Sequence, residues 1–270
     1  MKLRERFFYT ALMLLASTSA SSEVIFDTYI GGSPTSSSYT NRDVIGDPRL
    51  FDTTGIEVSR SGSVVTFDIY TNFAGRSGQL FDSYTTDPET GAPTGIGYGD
   101  LFLSDSWSPF GSDGYAGDNA TNGTHWSYGL VLDDRFGNSG GDLTLYELNG
   151  SSNTQNALLS DDFMVGSAIW RSPQEVAINT ASETVSSVGV VGSWSVGEGY
   201  IRLTADLGLT NLLSGGELAF HWAMTCANDV IEGSASVPEP SSLALLGGGL
   251  IAVAVANRRR RNGRSRKESP

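Results

Sequence analysis

Between Val64 and Thr71 the side chains alternate, and this alternation limits the possible folds more than any other feature. Val65, Phe67 and Ile69 fall on one face, with Val64, Thr66, Asp68 and Tyr70 on the other. A period of two is that of a half-buried strand. No stretch from 23 to 236 carries an apolar stripe at helical spacing. The 33 glycines of the chain punctuate it into strand-length pieces instead. Many short strands joined by glycine-rich turns imply an all-β fold, a single β-sandwich or jelly-roll-like domain.

The strand pieces follow in order. Val24–Tyr29, Phe51–Ser59, Val64–Thr71, Tyr98–Ser104, Thr124–Leu132 and Leu143–Leu148 read as strands, the last two as a hairpin. Met164–Trp170 and Glu175–Ile178 are further candidates. Val188–Val196 and Tyr200–Leu207 form a second hairpin around Gly197-Glu198-Gly199. Leu209–Ser214 suits one helical turn, and Glu217–Thr225 closes the sheet. The expected core is Phe26, Phe67, Ile69, Leu101, Leu103, Trp126, Leu130, Leu143, Leu145, Ile201, Leu203, Phe220 and Trp222. Residues 74–97 and 106–123 are long loops, a length often tied to function.

Both flanks differ from this domain. Lys2, Arg4 and Arg6 precede an apolar run from Phe7 to Ala16, and Ser17-Thr18-Ser19-Ala20 supplies small residues for cleavage. Residues 1–20 therefore read as a secretory signal peptide, and 23–236 as the mature ectodomain. At the other flank stand Val237-Pro238-Glu239-Pro240, a charge-free run of 14 residues at 243–256, and Arg258-Arg259-Arg260-Arg261. The two prolines make a stiff spacer. The run is shorter than the roughly 18–20 residues of a comfortable membrane span, and bilayer thinning or arginine snorkelling makes up the difference. The arginines act as a cytoplasmic stop. Residues 264–270 continue as a basic tail.

The order of box, apolar run and arginines over 237–263 resembles the PEP-CTERM sorting signal of bacterial envelope proteins. That resemblance implies an exosortase-type processing enzyme that cuts near Val237–Pro240. It also implies a Gram-negative source that makes exopolysaccharide, with membrane anchoring before processing and a cell-surface or extracellular-matrix destination after it. Cys226-Ala227-Asn228-Asp229-Val230-Ile231-Glu232-Gly233 resembles the Cys-Gly-Asn-Asp-x-Ile-x-Gly segment that ends the ectodomain in some proteins of this kind. Ala227 stands where that pattern has glycine. Asn228-Asp229 reads as a turn.

Charge narrows the partners. The ectodomain holds 7 of the 17 basic residues and 27 of the 30 acidic ones, a net charge of −20. Such a surface repels nucleic acid and anionic membranes. One cysteine, Cys226, leaves no intrachain disulfide.

Catalytic signals are weak. His125 and His221 are too few for structural zinc. Gly137-Asn138-Ser139-Gly140-Gly141 lacks the following helix of a nucleophile elbow. No enzyme is expected. Calcium is the cofactor the residues suit best, because 106–123 gathers Asp, Asn and Ser oxygens. Asp113 and Asp118 are the candidate ligands, with Asp100 and Asp105 behind them. Trp107, Tyr115 and Tyr84 lie in long loops, where rings stack on sugars. Polysaccharide binding by a lectin-like or carbohydrate-active domain is the alternative to a non-enzymatic surface role.

Overall fold

A computed structural model of the chain describes residues 21–28, 30–31, 33–34, 42–112 and 115–236. The strands are β1 (Ser21–Phe26), β2 (Ser33–Pro34), β3 (Thr53–Ser61), β4 (Val64–Thr71), β5 (Leu101–Ser104), β6 (Tyr128–Leu132) and β7 (Gly141–Leu148). They continue with β8 (Ala157–Leu159), β9 (Arg171–Ser172), β10 (Glu175–Ile178), β11 (Val185–Gly197), β12 (Tyr200–Asp206), β13 (Glu217–Ala223) and β14 (Val230–Ser236). Three four-residue helices interrupt them: α1 (Pro48–Phe51), α2 (Asn153–Asn156) and α3 (Ser160–Phe163). Among the described residues no helix is long and apolar enough to cross a membrane. The apolar run 243–256 and residues 1–20, read above as a signal peptide, lie outside them.

Ten strands form one antiparallel sheet in the order β1-β3-β4-β12-β11-β7-β6-β5-β13-β14. The sheet curls until β14 lies against β1 and β3. Gly233 of β14 faces Ile25 so closely that an added Cβ would sit 2.9 Å from its Cγ2. The two walls of the expected sandwich are thus two parts of one sheet. Ladder partners carry the apolar face from strand to strand: Val58 with Phe67, Phe67 with Leu203, Leu130 with Leu145 and Leu103 with Phe220. All of these are buried in one cluster. Each such Leu or Phe contributes about 1.5–3 kcal/mol by leaving water, so one inner face accounts for most of the fold's driving force.

The outer face of β5, β6 and β13 is covered as well. The segment holding β8 and β10 lies over it, packing Ile178, Ala157 and Val176 against Phe102, Trp126, Ala219 and Ala223. Two glycines permit the approach. A Cβ on Gly129 would lie 2.3 Å from Ile178 Cδ1, and one on Gly99 would lie 1.9 Å from the Ala223 carbonyl oxygen.

Several expectations need correction. Phe26 is 75% exposed. On edge strand β1 it shares its outward face with Val24, while Ile25 points in. The last strand is β14, not β13, so the Cys226–Gly233 run is half turn and half strand. Residues 164–170 form no strand, only an isolated bridge from Met164 to Thr85. Residues 209–214 make turns in place of a helical turn, with Thr210 N–H donating to Leu207 O and Ser214 N–H to Asn211 O. Residues 98–100 and 124–127 precede β5 and β6 as irregular chain. The other twelve expected core residues are buried.

Candidate functional site

The loop between β13 and β14, Met224 to Asp229, is fully enclosed. A buried loop must satisfy its backbone groups inside the protein, and this one binds segments from all over the fold. Thr225 N–H donates to Gly97 O, and Gly97 N–H donates to Thr225 Oγ1. Arg171, fully buried, donates from Nε to Ala227 O and from its terminal nitrogens to Gly31 O, Arg42 O and Asp43 O. Ile45 N–H donates to Asn228 O at 2.7 Å. Ala227 takes φ 48, the left-handed region, which is why the pattern it resembles has glycine there. Burial pushes the Cys226 thiol up to about 12, so it stays protonated.

Asp229 ends this loop and anchors the first of two buried ionisable clusters. Its carboxylate accepts Thr53 N–H at 2.6 Å and Val230 N–H at 3.1 Å. Asp27, just past β1, and Asp43, ahead of α1, bring their carboxylates to it. One oxygen from each of the three lies within 4.8 Å of the others. Asp229 is enclosed, while Asp27 and Asp43 keep partial exposure on the outer side. Burial, then the charges of Asp229 and Asp43, pushes Asp27 up to about 10. Burial likewise raises Asp43, and burial together with the Asp43 charge raises Asp229. All oxygens and no nitrogen or sulfur is the donor set of a hard cation.

The second cluster centres on His221 of β13. Nδ1 lies 2.9 Å from Glu232 Oε1 and Nε2 lies 2.7 Å from the Glu175 carbonyl oxygen. Both neighbours are acceptors, so both ring nitrogens donate and the imidazole is cationic. Burial opposes that charge, but the hydrogen bond and charge of Glu232 and the charge of Glu175 outweigh it, raising His221 to about 9. Glu175, raised to about 6 by burial, accepts Asn153 Nδ2–H at 2.6 Å. Trp107 Nε1–H donates to Glu232 Oε2 at 3.1 Å. Phe102 and Trp126 enclose the ring at 5.6 and 5.7 Å. His221 is wholly buried and packed by rings and strands, so it holds charge inside the protein.

The residues picked from the sequence disperse. Asp113, Val237, Pro238, Glu239, Pro240, Arg258, Arg259, Arg260 and Arg261 lie outside the described residues. Asp118 turns inward, accepts Phe110 N–H, and is raised to about 7 by burial and then by the Glu232 charge. Asp100 is buried against Arg135, at 3.0 Å, and the Leu132 and Ile178 N–H groups. Asp105 is exposed beyond β5. Trp107 meets Tyr115 edge to face at 5.4 Å and is committed to Glu232, not to the surface. Ser139 sits exposed in the β6–β7 turn, and among the described residues no hydrogen bond joins it to a histidine. His125 contacts Gly150 O at 3.1 Å.

A cleft of about 350 Å³ opens beside Asn228 of the 224–229 loop. Leu50, Phe51, Phe81, Tyr84 and Met164 form its apolar walls, and Asn228 lies at its wall with Nδ2 facing Gly46. Phe81 is 47% and Tyr84 39% exposed there. The sequence reading found Tyr84 but missed Phe81 and the three clustered aspartates. The only signal for Asp229 was its place in the Cys-Ala-Asn-Asp run.

Comparison with curated proteins and with solved structures finds no match. The profile of the PEP-CTERM protein-sorting motif matches residues 236–261. It begins on the residue where β14 ends, so the folded sheet and the sorting segment meet end to end in the sequence. The chain therefore carries a PEP-CTERM protein-sorting motif, the mark of an exported protein processed by an exosortase.

Proposed function

We propose that this protein is a non-enzymatic surface component, exported through its signal peptide and held by a short membrane segment at 243–256. It is then processed by an exosortase near Val237–Pro240 and released to the cell surface or exopolysaccharide matrix. The carrying observation is the sorting motif that starts where the β domain stops. The charge of the domain supports it, because 27 acidic residues against 7 basic ones keep a displayed domain soluble and off anionic lipid. The buried His221 supports the non-enzymatic part, since its ring is packed away from solvent. Localisation of the full chain in cells with and without their exosortase tests the reading. Processed protein in both strains would end it.

A carbohydrate-binding reading is favoured by the cleft, where the half-exposed rings of Phe81 and Tyr84 offer faces to a sugar. Loss of polysaccharide retention in Phe81→Ala and Tyr84→Ala would support it.

A further inference from the structure

We propose that Asp27, Asp43 and Asp229 form a calcium site that ties the segment after β1 and the segment before α1 to the loop entering β14. The geometry fits one ion. Each residue places a carboxylate oxygen within 4.8 Å of the other two, so a point between them lies at most about 2.8 Å from each, a few tenths of an ångström beyond a calcium–oxygen bond of about 2.3–2.6 Å. A small inward turn of the side chains lets a single cation reach all three.

The second observation is a set of buried acceptors without donors. Asp27 Oδ1 and Asp43 Oδ1 are both buried and receive no donor from any other residue, the two carboxyl groups meeting only each other. Oδ1 of Asn228, the residue before Asp229, is likewise buried without a donor, and Asn228 is only 5% exposed. Buried polar atoms normally have partners. Three such oxygens lie in three chain segments, two of which already touch through Ile45 N–H and Asn228 O, and a cation is the partner that would complete them.

Charge gives the ion's valence. Once an ion displaces their protons, the three carboxylates carry three negative charges, and Arg171 places one positive charge beside Asp43 and Asp229. A divalent cation closes the difference, while Asp52 nearby adds to the attraction. The chemistry gives its identity. An all-oxygen set with a neighbouring amide oxygen suits a hard cation. Donors from three irregular segments suit calcium, which accepts six to eight ligands in loose geometry, better than strictly octahedral magnesium. Asp27 and Asp43 keep partial exposure, which leaves a route for the ion and for completing waters.

The role follows from topology. Asp27 follows edge strand β1, and Asp229 leads into edge strand β14, which lies against β1 without a ladder between the two among the described residues. Calcium joins the two edges of the curled sheet, where no backbone ladder does and where Ser236 N–H to Glu23 Oε2 links the far end.

The test is melting and calorimetric titration of the full chain after chelation, with calcium or magnesium chloride at matched ionic strength. Variants are Asp27→Asn, Asp43→Asn and, as a comparison inside the 106–123 loop, Asp118→Asn. Calcium should raise the melting temperature of the parent chain and of Asp118→Asn. Its apparent affinity should fall at least tenfold in Asp27→Asn and in Asp43→Asn. In chelator those two variants should melt no lower than the parent, because each removes repulsion between carboxylates, and this separates a lost ion from a damaged fold. The proposal is overturned by no calcium-dependent shift in the parent chain. It is equally overturned by an undiminished shift in Asp27→Asn and Asp43→Asn, by loss of the shift in Asp118→Asn alone, or by an equal shift with magnesium.

Discussion

His221 and Glu232 face each other across the β13–β14 ladder, with Nδ1 2.9 Å from Oε1 and both side chains buried. The pair makes stability depend on pH with a definite sign. His221 rises from its ordinary 6.5 to about 9 in the folded protein, so the folded state holds the proton more tightly than the unfolded one. The contribution is fully present below pH 6.5 and fades as pH rises through about 9. A shift of that size corresponds to roughly 3 kcal/mol. Glu175 acts the same way lower on the scale, its contribution fading as pH rises from 4.5 through about 6. Urea unfolding should show stability falling between pH 6.5 and 9.5, with roughly 3 kcal/mol of the fall from His221 and the rest from Asp27 and Asp118, whose raised carboxyls act in the same direction. Glu232→Gln should lower stability at pH 6.5 and flatten the slope above it. A wild-type profile already flat across this range would refute the assignment.

Two acidic residues sort by burial. Asp100 is fully enclosed and accepts from Leu132 N–H, Ile178 N–H and Arg135. Asp100→Ala strands a mostly buried guanidinium and two backbone donors, so it should cost about 3–5 kcal/mol. Asp68 holds Arg202 at 2.6 Å through two oxygens, yet the Arg202 side chain is 47% exposed. Asp68→Ala should cost about 1 kcal/mol or less. Denaturant midpoints of the two variants check the order, and equal losses would contradict it.

Ala227 pays for its left-handed backbone, φ 48, with a Cβ in a fully enclosed loop. Glycine adopts that conformation freely, while an alanine held there costs about 1–2 kcal/mol. Ala227→Gly should therefore stabilise the protein by about 1 kcal/mol, net of the extra freedom glycine gains when unfolded. Thermal melting decides it, and a lower melting temperature would show that the Cβ packing outweighs the strain.

Legibility in the sequence followed physical cause. β4, β7 and β12 were readable because one face is wet and the other dry, so their apolar residues alternate. The β11–β12 hairpin was readable because its turn needs positive φ, which Gly199 supplies at 77. β14 was not, because both its faces are covered from Val230 to Gly233 and Val-Ile-Glu-Gly shows no alternation. Phe26 misled because an edge strand leaves large apolar groups in water. The aspartate cluster was invisible because Asp27, Asp43 and Asp229 meet only after the sheet curls and brings β1 to β14. The sorting motif was plain for the opposite reason. It is read by an enzyme as a linear segment, so its information lies in residue order.

That linear character gives the prediction for sorting. Val237-Pro238-Glu239-Pro240 stands between the end of β14 and the apolar run 243–256, with Arg258–Arg261 beyond it. Two prolines in four residues are a poor sequence for helix or strand, which suits a segment read by an enzyme. On the proposed reading, the apolar run and the arginines would supply membrane retention, by burial and by the reluctance of arginine to cross. These parts should separate by mutation. Replacing Glu239 and Pro240 with alanine should leave full-length, unprocessed protein in the membrane fraction, because retention does not depend on the box. Truncation before Val237 should instead release the soluble β domain, because its core is complete at Ser236. Fractionation and the mass of the mature C-terminus report both outcomes. Normal processing of the box variant would leave the apolar run as a simple anchor, and cell-bound truncated protein would place retention in the β domain itself.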